Sequence, residues 1–336
     1  MRDIIKNLIF QTFRILGVYR FYRRKVRDKA VVLTYHGILP EIPRVNGSDF
    51  EYRNFVTAKQ FEDQIRFLLK HYRPLKVADF YEENNTVAGG FLITFDDGFR
   101  NNYRYAMPVL QKYNLQGCFF ISTDLIGTRQ YLWTEQVTLL LEKTTKSQLE
   151  LTLDSNKRFE IATPEQKEAA SLEIRRHMKR MPLQQRNAVL AQLKEQLSDV
   201  ALEVGSQEEE RYLFMTWEEV RAMIEGGQAI GGHTHTHPIL STLTEEESQQ
   251  ELELSRTAIE THTGQPCLSM SYPNGEKEDY SDIQISQLQK LGYQCAFTQV
   301  PLFNSADTNR FELRRVNVSL KLPLAMLEAK LCGFIK

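Results

Sequence analysis

The sequence predicts an α/β protein in which strands and helices alternate around a largely parallel sheet or barrel, interrupted by a largely helical insertion. Three observations predict it. Short apolar runs end in polar or glycine residues, amphipathic stretches with helical spacing follow them, and over residues 128–211 the texture turns charged and glutamine-rich.

Taken in order, AVVLTYHG at 30–37 reads as a buried strand with His36 at its C-terminal end. From Thr57 the spacing of Phe61, Ile65, Phe67 and Leu68 predicts a helix, opened by a threonine cap with Gln60 three residues on. GGFLITFDDG at 89–98 is a second buried strand running into two aspartates; a helix over 103–113 and the strand GCFFIS follow. The insertion opens with a hairpin, LELTLDSNKRFEI, and continues in helical stretches such as PEQKEAASLEIRRHMKR and NAVLAQLKEQL. The alternation then resumes with TWEEVRAMIEGG, capped by Thr216 with Glu219 three residues later, and AIGGHTHTHP. A long helix over 245–263, the strand CLSMSYPNG, a helix near Leu288 and the strand QCAFTQV complete it. The chain thus divides into a basic amphipathic segment (1–28), a first barrel part (29–127), a helical insertion or lid (128–211) and a second barrel part (212–336). In such folds functional residues collect where strands end.

Composition narrows the class. At 336 residues, 42% hydrophobic and 25% charged, the chain can bury a substantial core, and a net charge of −1 gives no global attraction to nucleic acid. Four scattered cysteines suggest neither a disulfide framework nor a zinc knuckle, and a reducing compartment is the natural reading. Cys118 and Cys295, in apolar runs beside aromatics, read as small buried hydrophobes. In segment 1–28, Arg14 and Arg20 break the apolar run well short of the ~20 residues a spanning helix needs. With Arg20, Arg23, Arg24, Lys25 and Arg27 clustered after the apolar part, one reading is an interfacial helix at the cytoplasmic face of the inner membrane. The other is a first helix that packs on the core.

Asp96 and Asp97 end a strand before Gly98, so successive side chains diverge and can take different tasks, one binding metal and one accepting a proton. The alternative is a solvated Asp-Asp-Gly turn. His233-Thr234-His235-Thr236-His237 gathers three of the seven histidines in five residues; positions four apart can converge on one ion, and Pro238 makes the segment a turn rather than a full helix. His235 then points elsewhere. Asp97, His233 and His237 form a two-imidazole, one-carboxylate set that suits Zn2+ and leaves coordination positions open for water and substrate. Asp96 is the candidate general base, and His36 and the YPNG turn are candidates for the acid and the oxyanion donor. Trp133 and Tyr272 are candidate sugar-stacking residues, or simply packing.

TFDDG at 94–98, HTHTH at 233–237 and SYPNG at 271–275 resemble the polysaccharide deacetylases of carbohydrate esterase family 4, the NodB homology group, and the resemblance covers nearly all of the chain outside the insertion. It implies a distorted (β/α)7-type barrel, Asp96 as catalytic base, Asp97, His233 and His237 as metal ligands, and the backbone N–H of Asn274 as oxyanion donor. Two features depart from the family pattern: Ser271 stands where an arginine is usual, and no late Leu-x-His motif follows. The chain also resembles the permuted, exopolysaccharide-processing branch, whose early Tyr-His pair matches Tyr35-His36 and implies His36 as catalytic acid. Arg315 either replaces the missing arginine or is an ordinary surface charge.

The function expected is metal-dependent removal of N-acetyl groups from N-acetylhexosamine units of a polysaccharide or its lipid-linked precursor. Two alternatives are a deformylase or deacetylase of a lipid-linked amino sugar, and a non-catalytic carbohydrate-binding barrel.

Overall fold

The computed structural model describes residues 2–43, 52–82, 87–203, 205 and 209–335, with backbone alone for 2–7. Two helices, α1 (Arg2–Ile15) and α2 (Val18–Lys25), precede β1 (Val31–Tyr35). His36 interrupts the extended chain, and β2 (Gly37–Leu39) then pairs in parallel with β3 (Phe55–Thr57). Thr57 caps α3 (Ala58–His71): its hydroxyl accepts from Gln60 N, and the Gln60 side chain accepts from Thr57 N. Such a cap is worth about 0.5–2 kcal/mol. The short β4 (Arg73–Pro74) pairs with the start of β5 (Gly90–Phe95), all of whose residues are buried.

The helix predicted over 103–113 opens instead as a π-helical stretch, Asn102–Ala106, before α4 (Met107–Lys112), and β6 (Gly117–Ile121) follows. The insertion comprises α5 (Trp133–Lys143), the antiparallel hairpin β7 (Gln148–Thr152) and β8 (Asn156–Glu160), α6 (Pro164–Met178) and α7 (Leu183–Gln196). It has its own core, including Val137, Leu149, Phe159, Ile174 and Leu193. In β7 burial alternates residue by residue, as a hairpin lying with one face on helices requires.

The short α8 (Glu209–Tyr212) leads back to the barrel through α9 (Trp217–Glu225), β9 (Ala229–Gly232), α10 (Glu245–Thr263), β10 (Ser269–Ser271), α11 (Asp282–Lys290) and β11 (Cys295–Phe297). β12 (Val316–Asn317) and α12 (Leu324–Leu331) complete the order. The caps expected at Thr216 is present, with Glu219 closing the box.

The main sheet runs β11-β10-β9-β6-β5-β1-β12 with every pair parallel. Its two ends meet through one segment. Leu313 bonds β11, donating to Ala296 O and accepting from Thr298 N, and three residues later β12 pairs with β1. This closes a distorted (β/α)7-type barrel whose strand C-termini open on one face.

Segment 1–28 divides its apolar residues between two environments. Tyr19 is buried against α12, Phe13 and Tyr22 meet Phe334 edge-on at 5.4 and 5.0 Å, and Arg14 and Arg23 pair with Glu328 at 2.9 and 2.6 Å. Leu8, Ile9, Ile15, Leu16 and Phe21 stay exposed, Ile15 by 83%. Met1 and the side chains of residues 2–7 lie outside the described residues. No helix among the described residues is long and apolar enough to cross a membrane. All four cysteines are buried free thiols.

Candidate active site

β5 delivers Asp96 and Asp97, the two residues after its last, to the open face of the barrel, where Asp97 faces His233 and His237 and Asp96 faces Arg315. The solvated-turn reading fails, because Asp96 is 1% and Asp97 7% exposed. Asp97 sits at φ 77°, a left-handed conformation that costs a non-glycine residue of order 1 kcal/mol or more. Thr234, His237 and Asn274 share that strain at φ 63°, 58° and 61°. Four of the six such residues described thus surround one site.

Asp97 Oδ1 lies 3.5 Å from His233 Nε2 and 3.4 Å from His237 Nε2. The three ligand atoms fall within 4.8 Å of one another, close enough to share one ion. His233 donates from Nδ1 to the Ser271 carbonyl at 2.7 Å, which leaves Nε2 as the lone-pair nitrogen facing Asp97. The histidines converge through a turn rather than a helix. Glu251, from α10, fixes that turn: its carboxylate accepts from His235 N and Thr236 N at 2.8 Å each, and from Thr236 Oγ1 at 2.6 Å. His235 points away to Thr123 Oγ1 at 2.9 Å.

The electrostatics follow from this crowding. Burial works against the Asp97 charge, but the His233 and His237 imidazoles beside it outweigh that cost and hold the carboxyl well below its ordinary range. Burial pushes His237 down, toward the neutral form that ligates metal. For His233 burial is outweighed by Asp96 and Asp97, which raise it; a cation bound there would offset those same two charges. The donor set, its lone-pair orientation and its burial therefore fit a divalent cation.

Asp96 is held from the other side. Arg315 Nη1 and Nη2 donate to its Oδ1 and Oδ2, each at 2.8 Å, and Gln299 Nε2 donates to Oδ2 at 3.0 Å. Burial opposes the Asp96 charge, yet Arg315 and then His233 outweigh it and keep the carboxyl below its usual value. Arg315 has no exposed surface, so the surface-charge reading is corrected. Its guanidinium is also anchored by Thr298 O at 2.7 Å and by Ser271 Oγ at 2.6 Å. Ser271, where the family pattern has arginine, thus touches the arginine that comes from elsewhere in the chain.

His36 lines the same cleft of about 830 Å3, and its Nδ1 is buried without a hydrogen-bond partner among the described residues. Asn274 lies at the rim, its amide tied at both ends: Nδ2 donates to Asp279, and Oδ1 accepts from Lys179 Nζ at 2.5 Å. Trp133 also lines the cleft, with the Arg186 guanidinium 5.4 Å from its ring centre. Tyr272 is a correction. It is 1% exposed, stacks on Tyr280 at 4.2 Å and donates to Phe311 O at 3.0 Å, so it packs the core and offers no face to a sugar. Gln299 and Glu251 were not singled out in the sequence. Gln299 stands where a strand ends, a position that could have drawn notice; Glu251 lies mid-helix and carries no local signal.

Residues 83–296, more than half of the chain, match the family model described as polysaccharide deacetylase. The chain belongs to the polysaccharide deacetylase family. Another protein it resembles is YxkH of Bacillus subtilis (strain 168), 23% identical over 228 residues, which are 68% of this chain and 51% of that protein. The chain spans about half the length of this curated relative. Among solved structures, the Streptococcus pyogenes deacetylase PplD in complex with acetate aligns with a TM-score of 0.58 at 18% identity, over 90% of this chain and 98% of that one. IcaB from Ammonifex degensii aligns at 0.57 and 18%, over 91% and 97%. At this identity the two structures speak for the fold, and they agree with the barrel of this family member.

Proposed function

We propose that this deacetylase-family protein is a metal-dependent hydrolase that removes N-acetyl groups from N-acetylhexosamine units of a polysaccharide or its lipid-linked precursor, cleaving a linear amide C–N bond. One observation carries the reading: the Asp97–His233–His237 cluster and the arginine-held Asp96 face one cleft. Asp97, His233 and His237 would hold the ion, Zn2+ being the best match to this donor set. When bound, it supplies a Lewis acid that polarises the acyl oxygen and acidifies water.

The remaining work falls to the protein. Asp96, ionised and oriented by Arg315, accepts the proton of the attacking water. His36 gives a proton to the departing amine nitrogen, and the backbone N–H of Asn274 donates to the oxyanion. Trp133 offers an apolar ring to the sugar. Arg315 is a positioning residue, since it acts through Asp96.

A second reading, deformylation or deacetylation of a lipid-linked amino sugar, is favoured by the exposed Leu8, Ile9, Ile15, Leu16 and Phe21 beside Arg20, Arg24 and Lys25. Such a face suits peripheral contact with anionic lipid at the cytoplasmic surface of the inner membrane. Mass spectrometry of N-acetyl and N-formyl oligosaccharides and glycolipids after incubation distinguishes these readings. Release of acetate or formate that stops with chelator, returns with Zn2+ and falls about 10²-fold in His36→Ala is the expected result. Sugar binding without metal or hydrolysis would instead favour a non-catalytic barrel.

A further inference from the structure

The two N-terminal helices carry an uncovered apolar face. Five of the nine large apolar side chains exposed among the described residues, Leu8, Ile9, Ile15, Leu16 and Phe21, fall on them, so the exposure is one patch rather than scatter. On α1 the spacing of Leu8, Ile15 and Leu16 sets them on one side of the helix, away from Phe13, which meets Phe334. On α2, Phe21 stands across the helix from the buried Tyr19, with Arg24 and Lys25 beside it and Lys25 Nζ 4.6 Å from its ring centre. Between residues 8 and 29 seven cations stand against one acid, Asp28. Glu328 takes up Arg14 and Arg23, whereas Arg20, Arg24 and Arg27 are exposed and join no ion pair among the described residues. Apolar side chains rimmed by arginine complement an anionic bilayer, whose headgroup boundary admits the first and whose phosphates meet the second.

The fold places this face at the end of the barrel remote from the chemistry. The cleft residues His36, Asp97, His233, Asn274 and Gln299 follow the C-terminal ends of β1, β5, β9, β10 and β11, which all run in one direction. The N-terminal helices join the opposite end of β1, and Lys29 O accepts from Gly89 N where β5 begins. Arg23 bonds His71, the last residue of α3, and the adjoining Tyr72 donates to Leu331 O, where α12 ends. A strand of six residues such as β5 and a helix of 14 such as α3 each span about 20 Å, which separates the two ends.

We infer that the outer face of α1 and α2 docks on an anionic lipid surface and holds the protein by the end opposite its cleft, so that the cleft opens away from the bilayer. The docking stands on this face alone; its consequence for substrate rests on the deacetylase reading. A sugar joined directly to lipid would lie at the wrong end of the barrel, whereas a lipid-linked chain of several sugars extends to the cleft. The substrate class narrows to acylated units remote from a lipid anchor.

Flotation of the full chain with phosphatidylcholine vesicles, with and without phosphatidylglycerol, tests the docking. Binding is expected only with phosphatidylglycerol, and is expected to weaken as sodium chloride is raised. In Ile15→Ser/Leu16→Ser and in Arg20→Gln/Arg24→Gln proteins it should fall at least about tenfold, with circular dichroism unchanged. No binding, or equal binding to neutral vesicles, overturns the docking. So does a dimer without vesicle binding that Ile15→Ser/Leu16→Ser abolishes, which would give the face to a second copy. Lipids brominated in their acyl chains test the orientation, because the two tryptophans are Trp133, in the cleft, and Trp217, which opens α9. Their emission should be unaffected while the emission gained in Phe21→Trp protein is quenched; quenching of the wild-type emission to the same extent overturns the orientation. On these vesicles an acylated sugar several units from its lipid should be deacetylated at least about tenfold faster than one joined directly to it. Equal rates or the reverse order overturn the narrowing. If neither is hydrolysed the deacetylase reading fails, and flotation and quenching still decide the docking.

Discussion

The Arg315→Met protein is expected to lose about 3–5 kcal/mol of folding stability, because the substitution leaves the Asp96 carboxylate buried without its partner. Asp96 is 1% exposed and takes two 2.8 Å hydrogen bonds from this guanidinium, so no water shell stands ready to replace it. Gln299 at 3.0 Å and Ser271 at 3.4 Å are neutral donors and compensate only in part. Urea unfolding measures the loss. The double variant Arg315→Met/Asp96→Asn should recover part of it, since a neutral amide no longer leaves an uncompensated charge. Lysine at 315 is not a conservative replacement, because a single ammonium does not reproduce the two-pronged contact. Stability unchanged in Arg315→Met would mean that the pair contributes nothing to holding Asp96.

The Asp96→Asn protein is expected to lose about 10²–10⁴ in kcat/KM, the usual contribution of a positioned general base, while keeping its metal. Asparagine nearly matches aspartate in shape and leaves Asp97, His233 and His237 untouched, so the loss isolates proton acceptance from ion binding. Circular dichroism must accompany the kinetics, because Arg315 then lacks its counter-charge. Turnover within about threefold of wild type, a change worth under 1 kcal/mol, would remove Asp96 from the mechanism.

Much of this site was legible because its chemistry sits in short contiguous stretches. Two aspartates at a strand end and three histidines in one turn carry their geometry locally, and neither needed knowledge of distant residues. Arg315 did. It lies 219 residues from Asp96, and only the closure of the barrel through residues 313–317 brings them together. That closing segment includes the two-residue β12, too short to show any period. Of the two alternatives for Tyr272, packing holds rather than sugar stacking: it follows Ser271 in a conspicuous motif, yet Tyr280 and the Phe311 carbonyl take up its ring and hydroxyl.

The insertion was recognisable from its charged, glutamine-rich texture, but texture does not say which way a helix faces. That α6 turns Arg175, Arg176 and Lys179 toward the cleft depends on the separate core formed by α5, the hairpin and α7. Of the two readings of segment 1–28, the packing of a first helix on the core is met in part, and contact with a membrane stays a proposal. Tyr19 and Phe13 pack on the C-terminal helix region while Ile15 and Leu16 remain in solvent, and an apolar count along the sequence does not divide them.

Asp97, His233 and His237 are proposed to hold one divalent cation. Elemental analysis of protein dialysed against trace Zn2+ tests it most directly, in wild type and in His233→Ala. The expected result is one ion per chain in the first and at least a tenfold weaker affinity in the second, with hydrolysis lost in parallel. Wild-type protein that retains no ion, or His233→Ala that binds it as tightly as wild type, would contradict the account.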